Sequence, residues 1–225
     1  MPAKTDFNVS PYWDDWSLDK DFYRVLFRPG YAVQARELTT LQTILQNQIE
    51  QFGNHVFKDG AIVIPGSVGY DSNYYAVKIQ PTHSSGTVSD YLNQYAPGYP
   101  TADSVGAIIT GGTSGVTAQV VGYAVADSST GDPDTLFVKY LTTNTTDNTT
   151  QTFTDDEYIS ANRAISSYAA DVASAQLQAT SATATGSAVS VLAGIYFIRG
   201  FMVQNNAETI TLDKYTNTPS YRIGW

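Results

Sequence analysis

Residues 34–56, QARELTTLQTILQNQIEQFGNHV, are the stretch from which the rest of the chain is read. Leu38, Leu41, Leu45, Ile49, Phe52 and Val56 recur at steps of three or four, and Ile44 widens the stripe. That is the period of an amphipathic α-helix with one buried face. Pro29-Gly30 before it and Asp59-Gly60 after it mark the ends. The spacing predicts one long helix packed through Leu38, Leu41, Leu45, Ile49 and Phe52. A strict seven-residue seam begun at Leu38 and Leu41 places Gln48 and His55 at core positions. The segment also falls short of the roughly three to four heptads a coiled coil needs, so a helix packed on a β-domain is the reading taken. The other face is rich in amides, Gln34, Gln42, Gln46, Asn47 and Gln51, with only Glu37 and Glu50 acidic. A solvated face and a wet, hydrogen-bonded contact with another subunit both fit that composition.

On the N-terminal side, residues 1–30 carry Phe7, Tyr12, Trp13, Trp16, Phe22, Tyr23 and Phe27 with no sustained period, interrupted by Pro2, Pro11 and Pro29. This reads as an extended docking arm. An arm has no second face on which to bury so many rings, so they dock on the chain's own body or on a partner. Tyr12, Trp13, Trp16, Phe22, Tyr23 and Phe27 are the candidate partner-binding anchors.

On the C-terminal side the pattern turns to strands. AIVIPGSV and NYYAVKIQ, separated by Gly69-Tyr70-Asp71-Ser72, read as a hairpin, and residues 81–104 as a long loop. VGAIITGG, TSGVTAQVVGYAVA, DTLFVKYLT and QTFTDDEYIS form a second cluster of short strands. Residues 142–152 are Thr and Asn and read as a solvated hairpin tip; residues 168–187 are small and polar and read as a helix followed by a linker. SVLAGIYFIRGFMVQ, ETITLD and SYRIGW return to strand character. The fold class is therefore mainly β with one long α-helix. Its divisions are an arm (1–30), an amphipathic helix (31–60), a β-sandwich or barrel-like body (61–80 plus 186–225) and an inserted small β-domain (81–185). Trp225 follows a strand-like run with no cap, so the polypeptide is expected to continue beyond it.

Composition bounds the function. The chain has 225 residues, 42% hydrophobic and 15% charged, which is ample for a packed core. Its apolar runs are too short for a membrane span, and no membrane insertion is expected. A formal charge of −9 without a basic patch argues against nucleic acid as a partner. The absence of cysteine removes disulfides, thiolate nucleophiles and Cys-based metal sites. The N-terminus lacks the basic and then apolar order of a secretory signal, so export is not expected.

Little of the sequence suggests catalysis. His55 and His83 stand outside any zinc motif, and His55 in the helix's last turn suits the helix dipole. No nucleophile elbow, phosphate loop or dinucleotide fingerprint occurs. Asp127, Asp132 and Asp134 share a loop but lack EF-hand spacing, so a solvated turn is the reading; the sequence leaves open whether it takes a cation. Asp155-Asp156-Glu157 is the best carboxylate cluster for a polysaccharide-degrading enzyme, with no other part of a site beside it. No cofactor and no catalytic or metal-ligating residue is assigned.

The block FYRVLFRPGYAVQARELT, with the Gln-rich helix and FGNHVFKDG after it, resembles the N-terminal region of tail-fibre and baseplate virion structural proteins of contractile-tailed bacteriophages. The resemblance spans residues 7–66 and returns at 194–203, GIYFIRGFMV. It implies a homotrimeric, non-enzymatic attachment module of the phage tail. Such a protein is made in the host bacterial cytoplasm, carried in the virion and joined to other tail or baseplate proteins. The alternative is a host-surface glycan-binding module in which Tyr70, Tyr74, Tyr75, Tyr91, Tyr95 and Tyr99 stack on sugars.

Overall fold

The computed structural model describes residues 7–99, 105–144 and 149–223. Trp225 and part of the 142–152 tip lie outside them. In chain order the elements are α1 (Ala35–Val56), β1 (Ala61–Ile64), β2 (Val68–Lys78), β3 (Thr82–His83), β4 (Gly86–Thr87), β5 (Ile108–Gly111) and β6 (Thr117–Ala124). There follow β7 (Thr135–Thr142), β8 (Tyr158–Ala161), β9 (Ala173–Gln176), β10 (Thr183–Val191), β11 (Gly194–Ile198), β12 (Phe201–Asn205) and β13 (Glu208–Asp213). Among the described residues the chain is mainly β with one α-helix. It forms two compact units, residues 1–68 with 191–208 and residues 69–190 with 209–225. The division falls inside β2, so residues 69–80 belong with 81–185 in one unit.

The first unit holds the arm, α1 and a three-stranded antiparallel sheet in the order β1-β11-β12. β11 and β12 pair from Gly194↔Asn205 to Ile198↔Phe201. Their two-residue turn, Arg199-Gly200, has positive φ at both positions (49° and 90°), the backbone a tight hairpin of this twist requires. The Arg199 N–H donates to Asp59 Oδ1 at 2.7 Å and pins the hairpin to the loop after α1.

The second unit is an eight-stranded sheet in the order β13-β10-β2-β7-β6-β5-β8-β9. An antiparallel bridge between Ile79 and Leu177 joins the end of β2 to the end of β9, and Gln80 N–H and Gln178 N–H extend that contact. The six strands from β2 to β9 thereby close on themselves as a small barrel. Closure removes two open edges. Val77, Ile79, Ile109, Val120, Leu136, Val138, Ile159 and Leu177 fill the interior, and the short 3-10 turns Val88–Asp90 and Leu92–Tyr95 add Val88, Leu92 and Tyr95.

Three sequence expectations are corrected. AIVIPGSV and NYYAVKIQ do not form a hairpin: β2 runs unbroken through Gly69-Tyr70-Asp71-Ser72, and β1 pairs with β11 instead. Residues 168–187 are not a helix and linker but supply β9 and the start of β10. Their Ala and Ser side chains are small because they pack against large tyrosines: Tyr91 Oη and Tyr95 Oη both donate to Ser174. Residues 220–223 form no strand; Pro219 lacks an N–H, and Tyr221 donates to Asp213 Oδ1.

Candidate functional site

The first unit holds both sets of residues singled out for partner contact. α1 begins at a capping interaction in which the Gln34 N–H donates to Glu37 Oε2 at 2.9 Å, and it ends where Phe57 N–H returns to Gly53 O. Between them the helix turns an unexpected side to its own chain. Ile44, 2% exposed, and Gly53 are its buried residues, with Thr40, Thr43, Gln46, Asn47 and Glu50 partly covered. Gly53 lies against the Phe197 ring of β11, where any Cβ would collide with it.

The arm runs along this helix by polar contacts. Thr39 Oγ1 donates to Tyr12 O at 3.1 Å, Gln48 Nε2 to Tyr23 O at 3.4 Å, and Thr43 Oγ1 to Asp14 Oδ2. Gln46 Nε2 donates to Gly200 O at 3.4 Å. Beside Asp14, the Lys20 ammonium bonds Asp15 and holds its carboxyl below the usual carboxylate range. The Gln46 and Gln48 amides thus serve the chain's own backbone. The rings of the arm stay open: Phe7, Tyr12, Trp13, Phe22, Tyr23 and Phe27 are exposed, and Trp16 is half-buried.

The apolar stripe does not pack on the chain. Leu38 is 50% exposed, Leu45 49%, Ile49 51%, Phe52 68% and Val56 53%; of the expected stripe only Leu41 is partly covered. The spacing legible in the sequence is real, but the face turned inward is the one with Ile44 and Gly53. A glycine and threonines let the helix approach β11 closely, and neither residue type registers as an apolar stripe.

Elsewhere the candidate chemistry resolves into local bonding. Glu157 is buried and accepts from Ser114 N–H (2.8 Å), Thr113 N–H (3.1 Å), Ser114 Oγ (2.9 Å) and Thr154 N–H (2.8 Å). Asp155 accepts from Ser181 and Ala182 N–H, and Asp156 from the Gln80 and Gln176 amides. Asp127 caps Ser129 N–H, buried Asp134 takes Ser89 Oγ and Ala126 N–H, and Asp132 pairs with Lys214 at 2.7 Å. That lysine holds the Asp132 carboxyl down, and the carboxylate in turn raises Lys214. Among the described residues no group of three or more His, Asp or Glu is placed to hold a metal ion. His55 is exposed in the last turn of α1, while His83 is nearly buried, its Nε2 at 3.1 Å from Ala173 O and its ring between Tyr158 and Tyr168.

The six tyrosines of the glycan reading do not come together. Tyr91 and Tyr95 are interior residues of the barrel, where burial pushes Tyr91 up to about 12 and Tyr95 further. Tyr74 and Tyr75 line a groove of about 780 Å3 with Asp71, Asn73, Tyr140 and Gln151. It opens where β2 and β7, in register only from Tyr75↔Val138 to Lys78↔Thr135, separate.

A family model described as a domain of unknown function, DUF4815, matches residues 10–126. The chain belongs to the DUF4815 family. The match takes in most of the arm, all of α1, β1 and the barrel strands as far as β6. Neither the curated proteins nor the solved structures include a match to this DUF4815 chain.

Proposed function

We propose that this DUF4815 protein is a non-enzymatic structural protein of a phage virion. Made in the host bacterial cytoplasm, it attaches a tail fibre to the baseplate, or forms the fibre root, as a homotrimer joined to other tail proteins. The observation that carries this reading is the state of the first unit: the arm's rings and the helix stripe remain open to water in the single chain. Monomers seldom leave contiguous apolar patches beyond about 300–600 Å2, and larger ones mark interfaces. The sequence resemblance of residues 7–66 and 194–203 to tail-fibre and baseplate proteins supplies the setting. Such a role makes and breaks no bond; it works by summed contacts of repeated subunits.

The test is incorporation. Phage carrying Trp13→Ala with Trp16→Ala are expected to produce a soluble, folded protein that is missing from purified particles. Particles that contain the variant at the wild-type level overturn the role given to the arm.

A second reading, binding of host-surface glycans, is favoured by the groove beside Tyr75 and Tyr140, whose rings meet edge to face at 5.1 Å. Binding of the isolated protein to a glycan array, lost in Tyr75→Ala, supports it; an array without signal removes it.

A further inference from the structure

The exposed residues of α1 carry a repeat that the sequence stripe conceals. Ala35, Leu38, Gln42, Leu45, Ile49, Phe52 and Val56 are all exposed, and they follow one another at alternating steps of three and four. In heptad terms Ala35, Gln42, Ile49 and Val56 take position a, and Leu38, Leu45 and Phe52 take position d. This seam differs from one begun at Leu38 and Leu41: it moves Gln48 and His55 out of the core and Leu41 to its rim, and by starting at Ala35 it takes in all 22 residues of α1, about three heptads and so the lower end of what a coiled coil needs. Gln42 is its only polar member.

We infer that this seam is covered by α1 of further copies of the same chain, packed parallel and in register as a coiled coil. The inference rests on the assembly role proposed above and names the partner of α1 within it.

Three observations select a copy of this chain over another occupant. The first is charge. The protein carries −9, so two copies repel wherever their acidic surfaces meet. Yet the seam and its flanks, Thr39, Gln46 and Gly53 at e and Leu41, Gln48 and His55 at g, hold no Lys, Arg, Asp or Glu. Arg36, Glu37 and Glu50 all fall at b or c, off the contact. The second is Gln42. A carboxamide carries both donor and acceptor, so identical amides at one height of a parallel assembly satisfy one another. An antiparallel pairing sets the same amide opposite apolar residues and leaves it unpaired. The third is extent. The seam runs the whole helix, and Tyr23, 75% exposed, is held beside it through Gln48 at g.

Because the chain has no cysteine, single thiols report the geometry directly. The full-length variants Gln42→Cys and Val56→Cys stand near opposite ends of the seam, and Gln51→Cys stands at the exposed c position. Under mild oxidation Q42C and V56C are each expected to give covalent dimers in high yield, and Q51C none. Leu45→Glu with Ile49→Glu is expected to shift the solution mass to that of one chain while the β-sheet circular dichroism stays unchanged. Cross-linking of Q51C equal to that of Q42C overturns the seam, as does a wild-type chain that sediments as a monomer. An oligomer in which neither Q42C nor V56C cross-links overturns it too and leaves the virion role standing. Cross-linking as expected in a protein absent from particles upholds the seam and removes the virion role.

Discussion

Glu157 is a carboxylate almost without water, and four donors hold its two oxygens. A buried charge survives only when its lone pairs are filled in this way. Glu157→Gln replaces one oxygen by an NH2 group facing N–H donors, and is expected to destabilise the barrel unit by about 3 kcal/mol, read from urea unfolding. An unchanged midpoint would show that the carboxylate is dispensable. The tyrosines predict a limit at the alkaline side. An unfolded tyrosine ionises near about 10, whereas burial holds the proton on Tyr91 and Tyr140 up to about 12. Across that window the unfolded chain binds fewer protons, so this stabilisation is complete below about pH 10 and is lost as pH rises toward 12. Unfolding midpoints measured from pH 8 to 12 are expected to fall, and Tyr140→Phe to fall less steeply.

At the level of elements, α1 shows why a period is not an orientation. Leu38, Leu45, Ile49 and Phe52 specify a helix with an apolar face, and α1 forms over the expected stretch. Which side faces the sheet is settled by the shape of β11, where Phe197 needs the bare Cα of Gly53. Gly53→Ala is therefore expected to cost the first unit about 1–3 kcal/mol through overpacking, despite alanine's better helix propensity. Stabilisation by this substitution would show that α1 and β11 do not pack as described. In the barrel, the Ile79↔Leu177 bridge closes a ring whose partners lie far apart in the chain. Leu177→Ala leaves a cavity there and is expected to cost about 2–5 kcal/mol by urea unfolding; a loss below about 1 kcal/mol would mean that the site collapses freely.

For the whole molecule the net charge of −9 and the uncharged seam predict how association responds to salt. Raising ionic strength from about 0.01 M to 0.15 M shortens the screening length from about 30 Å to 8 Å. It weakens repulsion between copies without touching an apolar contact, so sedimentation is expected to show tighter self-association; weaker association would indicate an ionic contact. The sequence alone determined the long helix and the β character, because period and turn residues are local properties of the chain. It also marked the arm's aromatic residues. Only the tertiary structure decided that β2 runs unbroken, that the small residues after Tyr168 are strands, and that the barrel closes through Leu177. It also decided that α1 shows its leucines to water. Each of those depends on which distant residue fills the space beside it, and no window of neighbouring residues carries that information.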